Sequence, residues 1–273
     1  MMELITKTTE KETADVQMIE GTVNINGVKL NVYSFLIDHT LIDSGSQTLL
    51  EDFQPWFKKQ RIDQVFITHN HEDHTGGVTW LQQEKGIPVF IHPDSVEKCK
   101  SLEETPVYRQ LTWGSRGAFI AQPFSVKMTS ENYTWDIIET LGHTQDHLSF
   151  YCREKKILFT GDLFVLPHTK AILNSENMQD TLASLRKVLT FDFEAIYCCH
   201  AGYLKNGRAM IIEKINYLEK ILAKSKDLKE QGLTIEEITA QIFPKKYAIE
   251  QFSKGEWGSK YIVNSLLNDQ VSG

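Results

Sequence analysis

A run of seven residues, Thr68-His69-Asn70-His71-Glu72-Asp73-His74, constrains this chain more than any other feature of it. It follows Gln64-Val65-Phe66-Ile67, a compact apolar stretch of the kind that forms a buried strand. The run is therefore expected on a loop at the strand's carboxyl end, where α/β folds place ligands. Its three imidazoles and one carboxylate are borderline donors suited to zinc and similar divalent ions. In an extended or turning loop His69 and His71 can point the same way while Asp73 and His74 reach a second position. Such a loop has room for two metals.

Further donors should come from the ends of other strands, and the sequence offers three. His143 follows a β-like run in Leu141-Gly142-His143-Thr144, Asp162 closes Phe159-Thr160-Gly161-Asp162, and His200 follows Ile196-Tyr197-Cys198-Cys199. Any one of them alone is more often structural; their shared placement makes them candidates. Cys198 and Cys199 read as small apolar residues at a buried strand end. Cys-x-x-Cys spacing is absent, so a zinc ribbon or redox pair is unsupported.

Around these residues the pattern is that of an α/β chain. Met18 to Ile25 and Val28 to Ile37 flank Asn26-Gly27, a strong hairpin signal. A short strand ends at Asp43 and a helix runs through Leu49 to Gln60. Strands are expected over 88–91, 124–128, 133–140, 147–152, 156–160 and 195–199, with a helix over 177–189. Strands followed by helices, twice over, imply two sheets with helices on their outer faces. From about Asn206 the character changes. Ile211 to Lys226 has an amphipathic helical period, Thr234 and Glu237 form a capping box, and 257–267 reads as a third helix. We therefore expect a catalytic domain over 1–205 and a helical segment over 206–273, a cap or a winged-helix-like module.

Composition narrows the functions. The formal net charge is -7, from 29 Lys+Arg against 36 Asp+Glu, which weakens a nucleic-acid reading because phosphate neutralisation supplies most of such affinity. With 273 residues, 41% of them hydrophobic, the core is large enough to fold without a structural metal. A metal site here is functional first. Residues 1–18 are polar, unlike a secretion signal, and no apolar run approaches the roughly 20 residues that span a bilayer. The expected location is cytoplasmic, with no membrane partner.

The ordered set Asp43, His69-x-His71-x-Asp73-His74, His143, Asp162 and His200 resembles the signature of the metallo-β-lactamase superfamily over roughly residues 18 to 205. The resemblance implies an α/β (α+β) four-layer αββα sandwich with a small C-terminal helical extension and metals at one edge between the sheets. It implies one metal held by His69, His71 and His143, a second by Asp73, His74 and His200, and Asp162 bridging both. Asp43 matches the family's aspartate that orients a ligand histidine through its other ring nitrogen. His147, in Gly142-His143-Thr144-Gln145-Asp146-His147, is a candidate for a similar part. The implied chemistry is hydrolysis by a hydroxide bridging two divalent ions, with Asp73 also aiming it as a catalytic group. Zinc is favoured because His71 stands where flavodiiron oxygen reductases carry Glu; manganese and iron(II) are the alternatives.

Thr75-Gly76-Gly77 and the run from Gly142 to His147 are similar to glyoxalase II, acyl-homoserine lactonases and lactamase-like endoribonucleases. The resemblance thus points to a small ester, thioester or lactone as substrate. A phosphodiesterase or single-strand endoribonuclease with the same metals is the alternative, and a non-catalytic metal-binding module the third reading. A small-molecule partner is favoured over RNA, and a homodimer is left open. Lys205, Arg208 and Lys214 do not align with the glutathione-binding residues of glyoxalase II. Tyr247, Phe252, Trp257 and Tyr261 are expected mainly to pack against the main domain. His168 is placed equally well on the surface or near substrate.

Overall fold

The period-two alternation of the first third produces a sheet whose strands lie in chain order: β1 (Leu4–Thr13), β2 (Val16–Ile25), β3 (Val28–Ile37), β4 (Thr40–Ile42), β5 (Gln64–Phe66), β6 (Val89–Ile91) and β7 (Gln122–Pro123). In this computed structural model, which describes residues 4–25, 27–102 and 104–268, β1 to β4 pair antiparallel and β4 to β7 parallel. Of the expected hairpin turn, Asn26 lies outside the described residues. Gly27 has φ +81, and Ile25 pairs with Val28 across the turn. A second sheet takes β8 (Lys127–Thr129), β9 (Thr134–Glu139), β10 (Leu148–Cys152) and β11 (Ile157–Gly161). Past β12 (Ile172–Leu173) it adds β13 (Ala195–Cys198) and β14 (Gly202–Leu204), in the order β14-β13-β11-β10-β9-β8. Near the end of the chain β15 (Trp257–Gly258) pairs with β12 in a small third sheet.

Alternation along each strand sorts side chains into layers. On β3, Tyr33, Phe35 and Ile37 face the space between the sheets, while Val32 and Leu36 face outward. On β10, Phe150 and Cys152 face inward and Tyr151 outward. Phe66 anchors the inner layer, meeting Phe90, Phe124, Trp135 and Phe150 with ring centroids 5.1 to 5.9 Å apart. Such edge-on pairs exceed plain area burial by about 0.5–1.5 kcal/mol each. Helices α1 (Leu50–Lys59), α2 (Glu72–Thr75), α3 (Val78–Lys85) and α4 (Val107–Trp113) belong to the first half. Phe53, Phe57 and Leu81 of α1 and α3 cover its outer face. The outer face of the second sheet is covered by α5 (Met178–Val188), α6 (Gly207–Glu230), α7 (Ile235–Ile242) and α9 (Ser259–Leu267), with α8 (Ala248–Phe252) beside them. The four layers are αββα, as expected.

Two readings need correction. The expected strand 124–128 divides into β7 and β8, with Phe124 between them turned into the inner core. The expected helix 257–267 opens as β15 and becomes helical only at Ser259. The polar start of the chain, to which periodicity assigns no element, forms β1, an edge strand exposed along nearly its whole length. The capping box is present: Thr234 Oγ1 accepts the Glu237 N–H at 3.3 Å, and Glu237 Oε2 accepts the Thr234 N–H at 2.8 Å. Among the described residues no helix is long and apolar enough to cross a membrane.

Candidate metal centre

The β5 strand delivers Thr68 and His69 to the sheet edge, and the single turn of α2 then turns Asp73 and His74 back towards it. Asp43 fixes this loop from the end of β4. Its carboxylate accepts the Thr68 N–H at 2.8 Å, the Thr68 hydroxyl at 2.9 Å and the Cys199 thiol at 2.8 Å, and lies 2.8 Å from His74 Nδ1. His74 therefore donates from Nδ1 and presents Nε2 to the far side. Gly76 lets α2 settle against the preceding loop, because a Cβ there would run into the backbone of Ser46 and Gln47. Glu72 points elsewhere: Arg109 of α4 clamps its carboxylate through Nε and Nη2, both at 2.6 Å.

All seven candidate ligands converge. His71 Nδ1 lies 3.0 Å from His69 Nε2 and 3.1 Å from His143 Nε2. Beside this trio, Asp73 Oδ2 is 3.7 Å from His74 Nε2 and 3.5 Å from His200 Nε2. Asp162 stands between the groups. Its Oδ2 is 3.4 Å from His143 and 3.1 Å from His200, and its Oδ1 is 3.6 Å from His74. The trio His69, His71 and His143, and the trio Asp73, His74 and His200, each gather their donor atoms within 4.8 Å of one another.

The donor set fits a pair of divalent cations. A tetrahedral zinc about 2.0–2.1 Å from each nitrogen would space those nitrogens about 3.3 Å apart, close to the separations around His71. His74 Nε2 and Asp162 Oδ1 are both buried without a hydrogen-bond partner, which is costly unless something else satisfies them. Burial, reinforced by neighbouring imidazoles, holds His69 well below its ordinary pKa; burial with Arg109 nearby does the same for His71. Both rings are thus neutral, as ligands must be. At His200 burial also pushes downward, but Asp162 and Asp73 outweigh it and hold the imidazole at about 9. The field that keeps a proton there would equally attract a cation.

The rings are held from behind by partners that sequence reading missed. His143 Nδ1 lies 3.1 Å from Glu176, and His200 Nδ1 donates to the Asn31 carbonyl at 2.6 Å. Glu176 sits in a polar stretch before α5, and Asn31 acts through its backbone; neither leaves a mark in the sequence. His147 accepts the Asp162 N–H at Nε2 (2.9 Å) and meets Thr140 Oγ1 at Nδ1 (2.8 Å). Burial first, then His143, lowers its pKa to about 4, so it is a neutral ring tied to the Asp162 backbone. The reading of Cys199 as merely apolar needs correction, because its thiol donates to Asp43.

A cavity of about 460 Å³ opens on His71, Asp73, His143, Asp162 and His200. Its wall is largely apolar, with Leu30, Trp113, Leu166, Ile172, Tyr247, Ile249, Phe252 and Trp257 in the lining. Two of the lining rings, Tyr108 of α4 and Phe252 of α8, meet edge-on with centroids 5.6 Å apart. Tyr247, Phe252 and Trp257 therefore line the cavity, where packing against the main domain was expected. His168 lies outside it, exposed and 3.1 Å from Glu213.

A family model described as the metallo-beta-lactamase superfamily matches residues 27–200. Among curated relatives, the hydroxyacylglutathione hydrolase of Nitrosomonas eutropha is 30% identical over 210 residues, 75% of this chain and 69% of that protein. The beta-lactamase-like protein 2 homolog of Caenorhabditis elegans is 27% identical, and an atrochrysone carboxyl ACP thioesterase of Passalora fulva 26%. The chain spans 57% and 56% of their lengths. Among solved structures, a metallo-beta-lactamase family protein from Thermus thermophilus superposes with a TM-score of 0.60 at 16% identity, covering 97% of this chain and 92% of its own. A metallo-beta-lactamase from Pontibacter korlensis gives 0.61 at 16% identity, covering 79% and 99%. At these identities the structural likeness is one of fold.

Proposed function

This chain belongs to the metallo-β-lactamase superfamily, a family of metal-dependent hydrolases, and from that premise we propose that it is a dinuclear zinc-type enzyme acting on a small ester, thioester or lactone. The observation that carries the substrate class is the cavity: the ligand cluster opens into an apolar chamber sized for an acyl group. Polynucleotides call for cationic walls. Here Arg109 is committed to Glu72, leaving Lys29, Lys170 and Lys214 as the other cationic residues of the lining.

In this reading His69, His71 and His143 would hold one cation and Asp73, His74 and His200 the other, with Asp162 available to both. Bound there, two zinc ions would supply ionised water near neutral pH and polarise the scissile carbonyl. The protein's own side chains do the rest. Asp43, Glu176 and the Asn31 carbonyl fix the rings of His74, His143 and His200. Asp73, whose Oδ2 faces His74 and His200, would accept a hydrogen bond from the attacking hydroxide and aim it. For a thioester the new O–C bond forms as the C–S bond breaks. The thiolate leaves with the electron pair and takes up a proton, giving one acid and one thiol per water consumed. The described part of the C-terminal segment, residues 206–268, acts as a cap that supplies Tyr247, Ile249, Phe252 and Trp257 to the acyl wall.

A panel of acyl thioesters, lactones and single-stranded RNA, offered to zinc- and manganese-loaded protein, tests this. Thioester or lactone turnover without RNA cleavage is expected. RNA cleavage with no ester turnover would move the assignment to the phosphodiesterases, and metal binding without any activity would leave a binding module.

A further inference from the structure

The cavity contains a side chain that neither the ligand cluster nor the apolar wall accounts for. Lys214 projects from α6 on the same face as Ile211 and Leu218, three residues after the one and four before the other, and it is only 3% exposed. Its ammonium donates to the Leu163 carbonyl at 3.1 Å and to the Phe164 carbonyl. An ammonium has three donors and no acceptor, so one N–H remains. No carboxylate among the described residues lies within ion-pair distance of it; Glu176, the acid with the largest influence on it, is engaged with His143 and the Leu173 N–H. Burial lowers the pKa of this group to about 8, with Glu176 opposing. Its anchoring carbonyls directly follow Asp162 in the chain, and Lys214 and Asp162 line the same cavity.

A buried cation with an unused donor is expensive unless it has a task. Its buried neighbours along the same face of α6 (Ile211, Ile215, Leu218) are aliphatic, so the ammonium is the exception there. We propose that Lys214 is a specificity-determining residue that donates its remaining N–H to an oxygen on the acyl group, so that the preferred substrates are acyl esters or thioesters with a carbonyl or carboxylate oxygen close to the scissile carbonyl. The inference rests on the hydrolase reading and narrows it: a plain alkyl chain satisfies the apolar wall but leaves the ammonium unpaired, and a site built to hydrogen-bond an oxygen discriminates against the analogue that lacks it.

The experiment compares butyryl, 3-oxobutyryl and succinyl thioesters of N-acetylcysteamine as substrates for the metal-loaded full chain, wild type against Lys214→Met. Wild type should favour one oxygenated thioester over butyryl in kcat/KM, and Lys214→Met should lower that preference at least about tenfold, chiefly through KM. Comparing preferences between the two proteins removes the greater intrinsic reactivity of the 3-oxo ester. Preference for 3-oxobutyryl identifies a carbonyl oxygen as the ligand, and preference for succinyl a carboxylate. An unchanged preference in Lys214→Met, or equal use of all three by wild type, overturns the inference and leaves the hydrolase reading intact. Failure of wild type to turn over any of them, with metal bound, overturns the inference, and inactivity on lactones as well overturns the hydrolase reading with it. Should Lys214→Met not fold, Lys214→Gln, which keeps a donor for the two carbonyls, carries the same comparison.

Discussion

At the scale of single residues, the centre is a division of labour between atoms that face one another and atoms that hold the rings in place. His71 belongs to one donor trio only, whereas Asp162 reaches both. His71→Ala is therefore expected to abolish turnover and lower the zinc content towards one ion per chain, and Asp162→Asn to weaken both positions together; element analysis after dialysis against a zinc buffer separates the two outcomes. Full occupancy in His71→Ala would contradict the assignment. The seven candidate ligands were legible in the sequence because each is a rare donor at a strand end, and four of them are packed into 69–74. Glu176, Asn31, Cys199 and Lys214 were not. Each joins the site by a long-range contact; Glu176 is one polar residue among several on a loop, and although Lys214 interrupts the apolar stripe of α6, periodicity alone does not say that it reaches a cavity.

Among the elements, the two sheets are joined at a corner outside the cavity lining. Asp38, in the β3–β4 turn with φ +49, accepts hydrogen bonds from Ser130 Oγ at 2.5 Å, Asn132 N at 2.7 Å and Asn132 Nδ2 at 2.6 Å, beside the β8–β9 turn of the second sheet. Burial raises its carboxyl pKa, but these donors outweigh that and hold it below its ordinary value. Because the folded-state pKa is depressed, this contribution is fully present above the unfolded carboxyl value and fades as pH falls through the folded one. Asp38→Ala should cost about 2 kcal/mol at neutral pH, and urea titrations should find the gap between variant and wild type closing in acid. A gap independent of pH would assign the loss to packing. The strands buried on one or both faces announced themselves by alternation or apolar runs. β1 did not, since Thr, Lys and Glu alternate there without an apolar face, and β15 is too short for any period to appear.

Across the whole molecule, three separate apolar layers hold the fold, and none includes a candidate ligand. Chelation should therefore abolish activity while leaving far-ultraviolet circular dichroism unchanged. The melting temperature should fall with metal removal and recover as zinc is restored, since a ligand that binds only the folded state stabilises it by mass action. Loss of secondary structure on chelation would mean that the cations build the fold. The cavity wall has a further consequence. Part of it, Tyr108 and Trp113 of α4 with Ile249 and Phe252 of α8, stands on short helices that contribute no donor atom to the cluster. Relatives descended from such an ancestor can exchange one diet for another by editing those helices alone, so divergence should gather there while the hydrolytic apparatus passes down unaltered.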